Sequence, residues 1–122
     1  MYLKKFDLTG RRAYVTGGGR AIGLSCCEAL AEAGAHVIIG DISEAVAEEG
    51  RDYLKSKGYS ADIDIMDVTN TDQVRASAEK MAKQGGIDIL VNNAGIARSE
   101  TPAEDVADEH WLNVVDVNLN GT

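Results

Sequence analysis

The stretch "AYVTGGGRAIGLSCCEALAEAGAHVIIGD", residues 13–41, decides the fold. An apolar run at residues 12–16 reads as a first strand and goes straight into three glycines. Residues 21–33 follow, with Ile22, Cys26, Ala29, Leu30 and Ala33 recurring at helical spacing. Gly34 closes that helix. "HVIIG" then reads as a short buried strand, ending at the acid Asp41.

The same alternation continues outward. "ISEAVAEEGRDYLKSKG" is a polar helix with a thin apolar face through Val46, Gly50, Tyr53 and Leu54, weakened at Gly50 and ended by Gly58. "SADIDIMDV" alternates acid and apolar residues, which suits a strand nearer a sheet edge. "NTDQVRASAEKMAKQ" is a helix with Val74, Ala78 and Met81 on one face. Asn70 is its expected N-cap and Gln73 stands at the capping-box position. "IDILVNNAG" is a further buried strand running into a polar turn. Thr101 is placed to cap a helix with Pro102 at its first position and Glu104 at its third. A last helical run passes through Trp111, Leu112 and Val115. Strands alternating with helices of ten to fifteen residues mean βαβ units and a parallel sheet. With no repeat or linker, residues 1–122 read as one α/β domain or part of one.

Composition narrows the function classes. The 122 residues carry 12 basic and 20 acidic side chains, a net charge of −8, with no basic stripe for nucleic acid. No apolar run reaches membrane-spanning length, and "MYLKKFDLTG" does not resemble a secretion signal. The only cysteines, Cys26 and Cys27, are adjacent and lack metal-ligand spacing. They read as reduced thiols of a cytoplasmic protein, and no metal site is expected. His36 and His110 have no partner in the sequence that suggests a metal or a triad.

The glycines have a physical use. Amides at a helix start are unpaired and carry positive partial charge. Without side chains in the way, a pyrophosphate can approach them closely. The strict G-x-G-x-x-G fails because position 22 is Ile, and G-x-x-x-x-G-K-[ST] fails because no Lys follows a glycine. What fits is T-G-x-x-x-[small]-I-G, using Thr16, Gly17, Ala21, Ile22 and Gly23. Asp41 lies 18 residues after Gly23 and can accept hydrogen bonds from a ribose, or cap the next helix. In a sheet ordered 3-2-1-4, "NNAG" at 92–95 lies beside the glycine loop at the topological switch point.

"TGGGRAIG", "IGD", "MDV", "NNAG" and "VNLNG" occur in this order and spacing across the chain. Together they resemble the short-chain dehydrogenase/reductase family. The resemblance implies a partial Rossmann-type doubly wound sheet with helices on both faces. It implies that Gly17, Ile22 and Gly23 hold a pyrophosphate, with Gly19 and Arg20 in the same loop. It implies that Asp41 binds the ribose beside Ile42, and that Asp67 and the Val68 backbone meet the adenine. Asn93, Ala94 and Gly95 would line the adenosine side. Asn118 would match an active-site asparagine that helps hold a proton-relay water, or simply kink a helix.

Two departures stand out. Position 21 is Ala where the family usually has Gly, which is tolerable if the local φ is negative. The family's catalytic Ser and Tyr-x-x-x-Lys would follow the fourth strand, beyond "VNLNGT". Among the tyrosines only Tyr53 has a lysine four positions on, in "YLKSK", and that pair reads as a solvated helix face.

The implied activity is hydride transfer between a nicotinamide and a secondary alcohol or ketone, with polyols and sugars within the family's range. The alternatives are a non-catalytic nucleotide-binding half-domain, and a methyltransferase, which also wraps a glycine loop around adenosine. Arg20 suits a 2′-phosphate and Asp41 opposes one, and Asp41 is the better held, so NAD is expected over NADP. A 122-residue polypeptide would leave "IDILV" as an open apolar edge. Self-association into a homo-oligomer, weak cofactor binding and no turnover are then expected.

Overall fold

In the computed structural model, which describes residues 2–97 and 100–122, strands and helices alternate as the periodicity requires. The elements are β1 (Arg12–Thr16), α1 (Ala21–Glu32), β2 (His36–Asp41), α2 (Glu44–Ser56), β3 (Ala61–Ile65), α3 (Thr71–Lys83), β4 (Ile89–Val91) and α4 (Asp108–Val115). The sheet is parallel, with order β3-β2-β1-β4. Tyr14 is in register with Ile38 of β2 and Leu90 of β4, so β1 and β2 form its centre. β3 is an edge, as its acid–apolar alternation predicts.

Helices cover both faces. On one face Val15, Val37 and Ile39 pack against Cys27 and Ala31 of α1 and Ala47 and Leu54 of α2. On the other, Tyr14 and Ile38 pack against Met66 and Met81, the latter from α3. Asp64 is buried on this second face. It accepts hydrogen bonds from Tyr14 Oη at 2.9 Å, from Ser77 Oγ, and from Lys80 Nζ at 3.0 Å. Burial alone would raise its pKa, but the Ser77 hydroxyl, the Lys80 ammonium and the Tyr14 hydroxyl outweigh it and hold the carboxyl below its ordinary value. Gly40 makes this network possible, because any Cβ there would overlap the Tyr14 ring and its hydroxyl.

Several local readings are corrected. The fully buried face of α1 is Gly23, Cys27 and Ala31; Cys26 and Leu30 pack half-buried at its border, while Ile22 is 75% exposed. The small residues face the sheet because the helix packs closely there, while Ile22 is turned to the strand ends. In α3, Ser77 and Met81 are buried, whereas Val74 and Ala78 are exposed. Asn70 Oδ1 does accept from Gln73 N at 3.1 Å, but Gln73 Oε1 accepts from Asp67 N at 2.9 Å rather than from Asn70. No α-helix starts at Thr101. Pro102 is extended (ψ 146°), a single 3-10 turn follows at Ala103–Asp105, and Val106 and Ala107 are extended before α4. β4 is not a buried strand among the described residues. Its outer edge pairs with no strand, and Leu90 is 57% exposed.

Candidate functional site

The parallel strands bring Thr16, Asp41 and Val91 to the same edge of the sheet, and a groove of about 370 Å³ opens there. From the β1–α1 turn it is lined by Gly17, Arg20, Ala21, Ile22 and Gly23. Asp41 and Ile42 contribute from the end of β2, and Asp67 and Val68 from beyond β3. Asn93, Ala94 and Gly95 close it after β4. Gly19 and Asn118 do not line it. Met66, Gly40, Ile96 and Val117 do, and the sequence reading did not single them out as site residues.

Thr16 is the residue that assembles the floor. Its Oγ1 accepts from Asn93 N at 3.0 Å and Ala94 N at 2.9 Å, and donates to Val91 O at 3.4 Å. Asn93 Nδ2 returns two bonds, to Thr16 O at 3.0 Å and Gly17 O at 3.1 Å. The glycine turn is therefore stitched to the end of β4. Gly17 has φ +61°, the left-handed region, and a Cβ on it would lie 3.0 Å from Ala94 Cα and 3.1 Å from Asn93 Nδ2. A side chain at Gly17 would therefore meet the stitch first, not a ligand. At Gly23 a Cβ would run into the Gly17 carbonyl.

Ala21 has φ +49°. The expected negative φ is thus overturned, and the methyl carries a strain of about 1 kcal/mol. The turn forces the conformation: Arg20 is fully extended (φ −154°), and Ala21 must then redirect the chain into α1. No side chain caps α1. Its first-turn amides, which have no partner within a helix, stand at the groove.

Asp41 is buried at the groove wall. Oδ2 accepts from Gly19 N at 3.2 Å and Oδ1 from Ser43 N at 3.1 Å. Each oxygen keeps a second lone pair for a ligand. Asp41 does not cap α2; Ser43 does, accepting from Val46 N at 3.3 Å. Asp67 Oδ1 accepts from Thr69 N and Oγ1, and Oδ2 has no partner among the described residues.

Asn118 sits in a π-helical turn, Asp116–Asn120, that follows α4. Its Oδ1 accepts from Ile96 N at 2.8 Å and its Nδ2 donates to Ile96 O at 2.7 Å. The asparagine pins the segment that follows "NNAG", and the π turn is what aims it there.

Other candidate groups lie outside the groove. Tyr53 Oη donates to Glu28 Oε2 at 2.9 Å and Lys57 Nζ lies 5.5 Å from its ring centroid. The Glu28 hydrogen bond raises its pKa, so Lys57 does not activate it. Cys27 donates to Gly18 O at 3.6 Å, and burial, then the neighbouring Cys26, pushes its thiol up to about 12. That is a packing thiol.

The family model described as short chain dehydrogenase matches residues 11–122. The chain belongs to the short-chain dehydrogenase family. It is 52% identical over 121 residues to the galactitol 2-dehydrogenase of Rhizobium johnstonii, covering 98% of this chain and 47% of that protein. With the NAD-dependent glycerol dehydrogenase of Listeria innocua it shares 35% identity over 119 residues, 98% of this chain and 46% of that one. The crystal structure of a gluconate 5-dehydrogenase from Burkholderia cenocepacia in complex with NADP and tartrate superposes with a TM-score of 0.87 at 42% identity, covering 99% of this chain and 48% of that one. This short-chain dehydrogenase chain thus spans about half the length of the relatives it matches. The methyltransferase alternative is excluded by family membership. No helix among the described residues is long and apolar enough to cross a membrane.

Proposed function

We propose that this chain is the dinucleotide-binding half of an NAD-dependent oxidoreductase acting on a secondary alcohol or ketone, of the polyol or sugar class. The carrying observation is the groove at the strand ends, where uncapped α1 amides stand at one side and the Asp41 carboxylate at the other. The residues fit the cofactor. Gly17, Ile22 and Gly23, at the helix N-terminus, would hold the pyrophosphate. The open lone pairs of Asp41 would accept from the adenosine ribose hydroxyls, with Ile42 beside them. Asp67 Oδ2 and the Val68 backbone would meet the adenine. Asn93, Ala94 and Gly95 line the remaining wall. Nicotinamide dinucleotide, when bound, supplies or takes the hydride. Asn118 positions Ile96 at the far end, and its side chain keeps a second lone pair on Oδ1 and a second N–H on Nδ2 with which to hold a relay water.

The relatives' cofactors differ, so the choice rests on this chain's own charges. A 2′-phosphate against Asp41 at ~4 Å meets roughly 4 kcal/mol of repulsion per unit charge before screening. Arg20 offsets part of it, but Asp41 is held by two backbone amides. NADH is expected to bind this chain about tenfold tighter than NADPH, and Asp41→Ala to narrow that gap. Fluorescence titration with both dinucleotides decides it, and tighter NADPH binding by the wild type would overturn the assignment. A homo-oligomeric assembly belongs to the same proposal. So does a cytoplasmic location.

A further inference from the structure

We propose that Gly50, which lies on α2 outside the groove, is a positioning residue for the glycine loop and through it for Asp41. The inference rests on reading the groove as the dinucleotide site. Helix α2 crosses the loop glycine on glycine. A Cβ on Gly50 would stand 2.7 Å from the Gly19 carbonyl oxygen and 2.9 Å from Gly19 Cα. From the other side, a Cβ on Gly19 would stand 2.7 Å from Val46 O and 2.8 Å from Val46 Cγ1. Carbon atoms pack at about 3.5–4.0 Å, so neither position can carry a side chain while helix and loop keep their places.

Gly50 is not needed for backbone conformation, since it is helical with no positive φ. A mid-helix glycine costs about 0.5–1 kcal/mol relative to alanine. Close approach to the loop is the compensating reason. The loop in turn holds the ribose carboxylate: Gly19 N donates to Asp41 Oδ2 at 3.2 Å, and Gly18 N donates to Gly40 O at 3.1 Å. The depth at which α2 sits therefore sets the place of Gly19, and Gly19 sets the place of Asp41. The helix itself is fixed, because Ala47 and Leu54 are fully buried in the core with Val37 and Ile39. A methyl added at position 50 thus displaces the loop rather than the helix.

The test compares Gly50→Ala with Glu49→Ala, an exposed neighbour on the same helix where alanine also raises helix propensity, though less, and meets no loop. Amide spectra of the 122-residue chain without ligand come first. The Gly18, Gly19 and Asp41 amides are expected to move in Gly50→Ala and to stay in Glu49→Ala. NADH affinity of Gly50→Ala is expected to fall about tenfold, with no loss of helical signal. A merely structural role would lower the melting midpoint and leave the affinity of the folded protein alone. An unmoved Gly19 amide, or a moved one with wild-type NADH affinity, overturns the proposal. Val46→Ala, which removes packing on the loop from the same helix without a clash, is expected to move the same amides; if Gly50→Ala does not fold, this variant decides. Failure of the wild type to bind NADH would instead refute the reading of the groove, and the Gly19 amide would still decide the steric coupling.

Discussion

Gly17→Val is expected to abolish detectable NADH binding while the chain stays folded. Valine at φ +61° is held in the left-handed region, where an ordinary residue is strained by about 1–2 kcal/mol and a β-branched one by more. Its Cβ would also press on Ala94 Cα at 3.0 Å and Asn93 Nδ2 at 3.1 Å. The bonds from Asn93 to Thr16 O and Gly17 O cannot survive that displacement, so the floor of the groove opens. The total strain of roughly 2–4 kcal/mol is below the usual margin of about 5–15 kcal/mol for a domain. Circular dichroism should therefore remain helical while the NADH signal is lost, a weakening of at least about a hundredfold. Wild-type affinity in this variant would show that the glycine turn is not the phosphate site.

The second large effect concerns stability. Asp64→Ala leaves Tyr14 Oη and Ser77 Oγ buried with only each other at 3.4 Å, and removes the partner of Lys80. Losing a buried hydrogen-bonded carboxylate in this way is expected to cost about 3 kcal/mol. In a domain of this size that lowers the melting midpoint by about 10 °C. The pH dependence follows from the lowered pKa of Asp64. Its contribution is fully present above the unfolded value near about 4 and is lost as pH falls through the depressed folded value. The wild type should therefore lose stability in that acid range more steeply than Asp64→Ala. A variant within about 0.5 kcal/mol of the wild type in urea unfolding would contradict this account of the second core.

The strand–helix alternation, the glycine turn and the acid at the end of β2 were legible because each follows from spacing, while the strand order came with the family resemblance. Apolar runs of strand length alternating with helical periods leave few topologies, and the switch point then falls between β1 and β4. What escaped the sequence depends on close approach. Ile22 reads two ways, as core by its helical spacing and as a site residue by its place in the glycine pattern, and it lines the groove. The sheet takes Gly23, Cys27 and Ala31 instead, because small residues let α1 sit near it. Gly50 reads as a weak point in α2, and only the position of Gly19 explains it. Ala21 at positive φ could not be foreseen, since the bend is set by the extended Arg20 before it. The helix expected at Thr101 fails because Pro102, Val106 and Ala107 are extended, a conformation that one capping signal does not override.

Amide chemical-shift mapping during an NADH titration of the 122-residue chain decides whether the strand-end groove is the dinucleotide site. That assignment predicts that the shifts concentrate at Gly17–Gly23, Asp41, Ile42, Asp67, Val68 and Asn93–Gly95. Saturable binding whose shifts fell instead on the α3–β4 face around Val74, Met81 and Leu90, or no binding at all, would contradict it.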